Sequence, residues 1–129
     1  MFKKMFFLVL LLLVFSVTPL YAAEEVIIAP QASSVFLSYG SGIAENGSSI
    51  TCTAFSNLTN HYQQSITMRI QRYENGSWKT LKSWSDSDNY ATLDVMGGYP
   101  LSPGLYRVKS THSAGGEVRT SYSPNYLID

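Results

Sequence analysis

The chain has 129 residues with nine basic and nine acidic side chains and a single cysteine, Cys52. That length fits one small domain with one core. The balanced charge argues against a nucleic-acid or anionic-membrane partner, and one cysteine rules out an internal disulfide, leaving packing to supply stability.

Residues 1–23 read as a secretory signal peptide. Lys3 and Lys4 precede an unbroken apolar run from Met5 to Phe15, Pro19 ends it, and small residues follow at Ala22 and Ala23. The run is shorter than the roughly 20 residues that span a bilayer, so cleavage after Ala22 or Ala23 and release from the membrane are expected. The mature product is then secreted, with no stable membrane anchor. Without Lys3 and Lys4, seven basic residues face nine acidic ones, a net charge of about −2. Residues 24–33, with Val26, Ile27 and Ile28 before Pro30, form a leader or an edge strand, because proline excludes a central strand.

The domain proper is predicted over 34–129. A first strand begins near Ser34 and runs into Gly40 and Gly42, and Asn46-Gly47 marks a tight turn. Ile50, Cys52 and Ala54 share one face of the next strand, which the polar run from Asn57 to His61 closes. In the third unit Ile66, Met68 and Ile70 alternate with Thr67, Arg69 and Gln71, the period of a half-buried strand. Asn75-Gly76 follows, and Trp78 to Trp84 forms the returning strand, so 64–84 is predicted to be a β-hairpin with a type I′ turn. Asp86 to Asn89 reads as a polar turn. Ala91, Leu93 and Val95 alternate with Tyr90, Thr92 and Asp94 in a strand ended by Gly97 and Gly98. Pro103-Gly104 starts another strand from Leu105 to His112. Ala114-Gly115-Gly116 returns the chain through Glu117 to Tyr122, and Pro124 precedes a short stretch from Tyr126 to Ile128. Ser, Thr, Asn, Gly and Tyr dominate, and no segment has helical periodicity. The fold class is therefore all-β, a single antiparallel β-sandwich.

Pro103-Gly-Leu-Tyr-Arg-Val108 resembles the start of a late strand in immunoglobulin-like and fibronectin-III-like domains. That resemblance implies that Tyr106 returns its hydroxyl to the backbone at a corner of the sandwich. As a set, Asn75-Gly-Ser-Trp78, Ser83-Trp-Ser85, Tyr106-Arg-Val108, His112-Ser-Ala-Gly-Gly-Glu117 and Thr120-Ser121 are similar to a family of small secreted Gram-positive bacterial proteins of unknown function. The resemblance covers residues 34 to 128 and implies a secreted β-domain without supplying an activity.

Candidate chemistry is sparse. No Gly-x-Ser-x-Gly elbow is present, and Cys52, in phase with Ile50 and Ala54, reads as a buried apolar residue. His61 lies in a polar turn. His112 faces a Gly-Gly turn and is expected to bond Glu117 or a backbone carbonyl. A small hydrolase would need a serine, His112 and a carboxylate converging in a cleft. Asp86-Ser-Asp88-Asn89 offers oxygen ligands for calcium, but a turn with Asx hydrogen bonds explains the same residues. No catalytic residue, metal or cofactor is expected. Asn46, Asn57 and Asn75 each begin an Asn-x-Ser/Thr sequon, read as turn residues in a bacterial protein.

Aromatic residues are the remaining signal. Trp78 and Trp84 stand an even number of residues apart, which puts them on one face of a regular strand. With Tyr73 and Arg69 on the paired strand, and Lys82 between the tryptophans, that face reads as an exposed ladder for an extracellular protein or a cell-wall glycan. The competing reading puts one of the tryptophans in the sandwich centre. Functionally the sequence points to an exported, non-catalytic binding protein. The alternative is a structural component that assembles through edge strands.

Overall fold

The computed structural model describes residues 34–129; the predicted signal peptide and the 24–33 leader lie outside them. Eight strands follow in order: β1 (Phe36–Asn46), β2 (Ser49–Leu58), β3 (Gln64–Glu74), β4 (Ser77–Asp88), β5 (Thr92–Pro100), β6 (Gly104–Ala114), β7 (Glu117–Tyr122) and β8 (Tyr126–Ile128). They form two antiparallel sheets, one of three strands in the order β1-β2-β5 and one of five in the order β4-β3-β6-β7, with β8 also pairing β6. The predicted all-β sandwich is the fold.

The β3–β4 hairpin turns at Asn75 (φ 51°) and Gly76 (φ 82°), the positive pair that a type I′ turn requires. Two strands run further than their composition suggested. β4 continues through Asp86 to Asp88, which pairs with Gln64, so the predicted Asp86–Asn89 turn is mostly strand. An edge strand can carry these residues because its ladder needs only backbone. β5 likewise passes through Gly97 and Gly98 to Pro100 by pairing with β2.

Alternation along the strands builds the interior. Ile50, Cys52 and Ala54 from β2, Ile66, Met68 and Ile70 from β3, Leu93 and Val95 from β5, and Tyr106 and Val108 from β6 pack in the main cluster. A second cluster of Val35, Phe36, Leu58 and Ala114 closes one end. Tyr106 is fully buried, and its hydroxyl donates to the Ser102 carbonyl at 3.0 Å, the corner bond the resemblance implied. Between β7 and β8, Pro124 lacks an N–H and the pairing shifts by one residue. Ser123 bridges the break: its N–H donates to the Val108 carbonyl at 2.8 Å and its hydroxyl accepts from the Val108 N–H at 2.7 Å.

Candidate functional site

The two tryptophans do not share a face. In the β3–β4 ladder Ile70 pairs with Lys82 and Gln71 with Thr80, so Leu81 has no partner. This one-residue bulge reverses the alternation between its two sides. Beyond it Trp84 pairs with Met68, turns inward and packs on the main core cluster beside Leu81. Before it Trp78 pairs with Tyr73 and faces outward. The expected ladder of Trp78, Lys82, Trp84 and Tyr73 is therefore corrected: an even spacing implies a common face only in an unbulged strand. Lys82 goes with Trp84, its ammonium 5.2 Å from that ring's centroid at the sandwich edge.

Trp78 and Tyr73 remain together on the outer face of the five-stranded sheet, rings edge to face with centroids 5.3 Å apart. What joins them comes from β6 and β7. The Arg107 guanidinium lies 4.3 Å from the Trp78 ring centroid and 4.6 Å from that of Tyr122, held between the two rings. Its Nε donates to Gln71 Oε1 at 2.8 Å, and Gln71 Nε2 in turn donates to Thr80 at 3.1 Å. Lys109, directly opposite Tyr122 in the ladder, sits 5.9 Å from the same ring. Arg69 is opposite Lys109 and donates to Thr111 at 3.1 Å. Burial pulls the Arg107 pKa below its ordinary value, with the Tyr122 oxygen opposing the shift; a guanidinium nonetheless stays charged. Tyr73 and Tyr122 are 47% and 46% exposed, so their rings reach solvent beside these cations.

Among the described residues, β3, β4, β6 and β7 place no acidic residue on this face. By strand alternation Glu74, Asp86, Asp88 and Glu117 belong to the inner side of the same sheet, and Glu45 and Asp94 belong to the other sheet. Arg72 and Lys79 pair with Glu74, and Arg119 pairs with Glu117, whereas Arg69, Arg107 and Lys109 have no carboxylate partner among the described residues. Sequence reasoning had Arg69 and missed Arg107, Lys109 and Tyr122. Their signal was the outward phase of β6, where Arg107 and Lys109 alternate with Tyr106 and Val108.

The second polar constellation is internal. His112 is fully buried, and its partners are serines rather than the expected Glu117 or backbone carbonyl. Ser41 Oγ donates to Ser110 Oγ at 2.7 Å. A hydroxyl has one proton, so Ser121 is the donor in its 2.7 Å bond to Ser41. Ser121 then accepts from His112 Nε2–H at 2.7 Å, and Nδ1 accepts from the Ser56 hydroxyl at 2.7 Å. The chain Ser56, His112, Ser121, Ser41, Ser110 runs in one direction across β2, β6, β7 and β1 and assigns the Nε2–H tautomer. Burial pushes the His112 pKa down to about 4. Both ring nitrogens are occupied by serines inside the core, so the serine, His112 and carboxylate arrangement of a hydrolase is not assembled around this residue. Glu117 instead accepts from Ser34 at 3.1 Å and from Arg119 at 3.3 Å.

His61 is exposed, 6.3 Å from Tyr90 between ring centroids. Asp86 and Asp88 each accept the backbone N–H of the following residue, at 2.8 and 2.7 Å, one residue short of the contact that the expected Asx turn would make. Among the described residues no group of three or more His, Cys, Asp or Glu side chains is placed to hold a metal. Cys52 is buried, and burial pushes its thiol up to about 11.

No family model matches the chain, and no curated protein matches it. Among solved structures it is similar to wild-type OgpA from Akkermansia muciniphila, with 11% identity and a TM-score of 0.46 over 81% of this chain and 33% of that one. The chain thus spans about a third of that structure's length.

Proposed function

We propose that this protein is an exported, non-catalytic binding module of immunoglobulin-like or fibronectin-III-like architecture. It engages an extracellular or cell-envelope ligand through the outer face of its five-stranded sheet. The observation that carries this reading is the stack of Tyr73, Trp78, Arg107 and Tyr122 on that face. A guanidinium clasped between rings is positioned before any ligand arrives, which lowers the ordering cost of binding. Aromatic and arginine side chains are also those that most often dominate contact energies. Export rests on the signal-peptide pattern of residues 1–23 and on the resemblance to small secreted Gram-positive proteins.

Assembly through edge strands, the alternative, gains less support. The β4 edge carries the Leu81 bulge with Lys79 and Lys82, and the β7–β8 edge is broken at Pro124. Bulges, lysines and prolines all oppose strand addition.

The test uses Trp84→Phe, which leaves Trp78 as the sole indole of a chain with two tryptophans. Iodide is expected to quench Trp78 in the free protein, and soluble cell-wall fragments are expected to protect it. Fragment binding that survives Trp78→Ala and Tyr122→Ala in folded variants would place the contact elsewhere and overturn the reading.

A further inference from the structure

Resting on that assignment of the contact face, we infer that its ligand is an acidic polysaccharide. Charge complementarity gives the first argument. Arg69, Arg107 and Lys109 form one patch: Arg69 is opposite Lys109 and Arg107 is two residues before it. Among the described residues no acidic side chain of β3, β4, β6 or β7 stands on the face to neutralise them. Elsewhere among the described residues Arg72 and Lys79 share Glu74 and Arg119 pairs with Glu117, which leaves Lys82 at the sandwich edge as a single cation rather than a patch.

The stacking supplies the second argument. The Arg107 guanidinium lies over both the Trp78 and the Tyr122 ring, and Gln71 takes its Nε. The in-plane edge with the Nη donors is the part of the fork left for a ligand, and that edge binds carboxylates, sulfates and phosphates in bidentate fashion. A ligand held there is an anion approaching in the guanidinium plane.

The third argument separates a glycan from other polyanions. Half-exposed Tyr73 and Tyr122 rings flank the cations on a sheet surface, and ring faces stack on the apolar faces of sugars. The stack crosses β4, β3, β6 and β7, a run of roughly 15 Å at the usual strand spacing. An open platform of that length suits a few consecutive sugars of an extended chain. Short hydroxyl side chains beside the patch, Thr80 and Thr111, offer donors and acceptors to sugar hydroxyls.

The test titrates the mature Trp84→Phe protein by Trp78 emission and by calorimetry against polygalacturonate, dextran sulfate, neutral dextran and poly-glutamate. Binding to either acidic glycan, weakened by salt and absent for dextran and poly-glutamate, is the expected result; the two acidic glycans distinguish carboxylate from sulfate recognition. Lys109→Gln and Arg69→Gln are expected to weaken binding roughly tenfold each, with melting temperatures unchanged. Arg107→Gln should weaken it more. Equal binding of dextran with a Trp78 response would overturn the acidic class while leaving the contact face intact. Equal binding of poly-glutamate would overturn the glycan class. Acidic-glycan binding that none of these variants weakens would overturn both this inference and the contact face, and no binding to any of the four polymers would overturn the acidic-glycan assignment alone.

Discussion

The indole of Trp84 lies against the backbone of Gly97, in the space where any other residue would place its Cβ. The contact joins β4 of one sheet to β5 of the other and closes the sandwich edge with an aromatic ring. Gly97 is inward by alternation with Leu93 and Val95, so its missing side chain is what admits the indole.

Gly97→Ala is expected to destabilise the protein by about 1 to 3 kcal/mol, the usual cost of overpacking. Urea unfolding followed by tryptophan emission measures it. In a Trp84→Leu background the same substitution should cost much less, and the two changes should be non-additive. Additive costs would show that the ring is not what excludes a methyl group at 97.

Deleting Leu81 should leave every other β3–β4 pair as it is, since Leu81 alone has no partner in the ladder. The variant is expected to fold with both indole environments retained. It should lose about 1 kcal/mol, less than a fully buried leucine would contribute, because Leu81 is half-buried. Trp78 emission in the Trp84→Phe background checks that Trp78 stays opposite Tyr73. A straightened β4 should also associate more readily at high concentration, which light scattering would detect.

Acid should weaken the fold through His112. Its pKa is about 4 when folded against an ordinary value of 6.5, so below 6.5 the unfolded chain takes up a proton that the folded protein refuses. The stability present above pH 6.5 is therefore lost progressively as pH falls toward 4, by about 3 kcal/mol over the window. Chemical denaturation at pH 7 and pH 4.5 reads this slope. His112→Gln should be less stable at pH 7 yet show a flatter dependence between these values; an unchanged slope would assign the acid sensitivity to another group.

Cys52 should resist thiol reagents while the protein is folded. Burial raises its pKa to about 11, so little thiolate exists at pH 8 and none of it is exposed. Reaction with a disulfide reagent is expected to track global unfolding in urea. Fast labelling of the native state would reveal local opening of β2.

What could be read in the sequence was what strands and turns dictate locally. Ile66, Met68 and Ile70 announced β3, Asn75-Gly76 announced its turn, and the resemblance around Tyr106 implied a bond to the backbone, which the Ser102 carbonyl accepts. The contact face was only half legible. Tyr73 and Trp78 are hairpin partners, so local spacing united them, but the bulge that removes Trp84 leaves no mark: Leu81-Lys82 looks like any other step of a strand. Arg107 and Tyr122 reach Trp78 only because β6 lies beside β3 and β7 beside β6, an order set by the packing of distant segments. The serines around His112 were hidden for the same reason, since Ser56, Ser121 and Ser41 come from three other strands.

That hydroxyl chain also constrains the order in which the protein can be assembled. Ser56 and His112 are separated by 56 residues and Ser41 and Ser121 by 80, so the polar interior closes only when segments far apart in the sequence meet. Contacts of that range are slow to form in sandwich topologies. Substitutions at Ser121 are therefore expected to slow refolding as well as to lower stability.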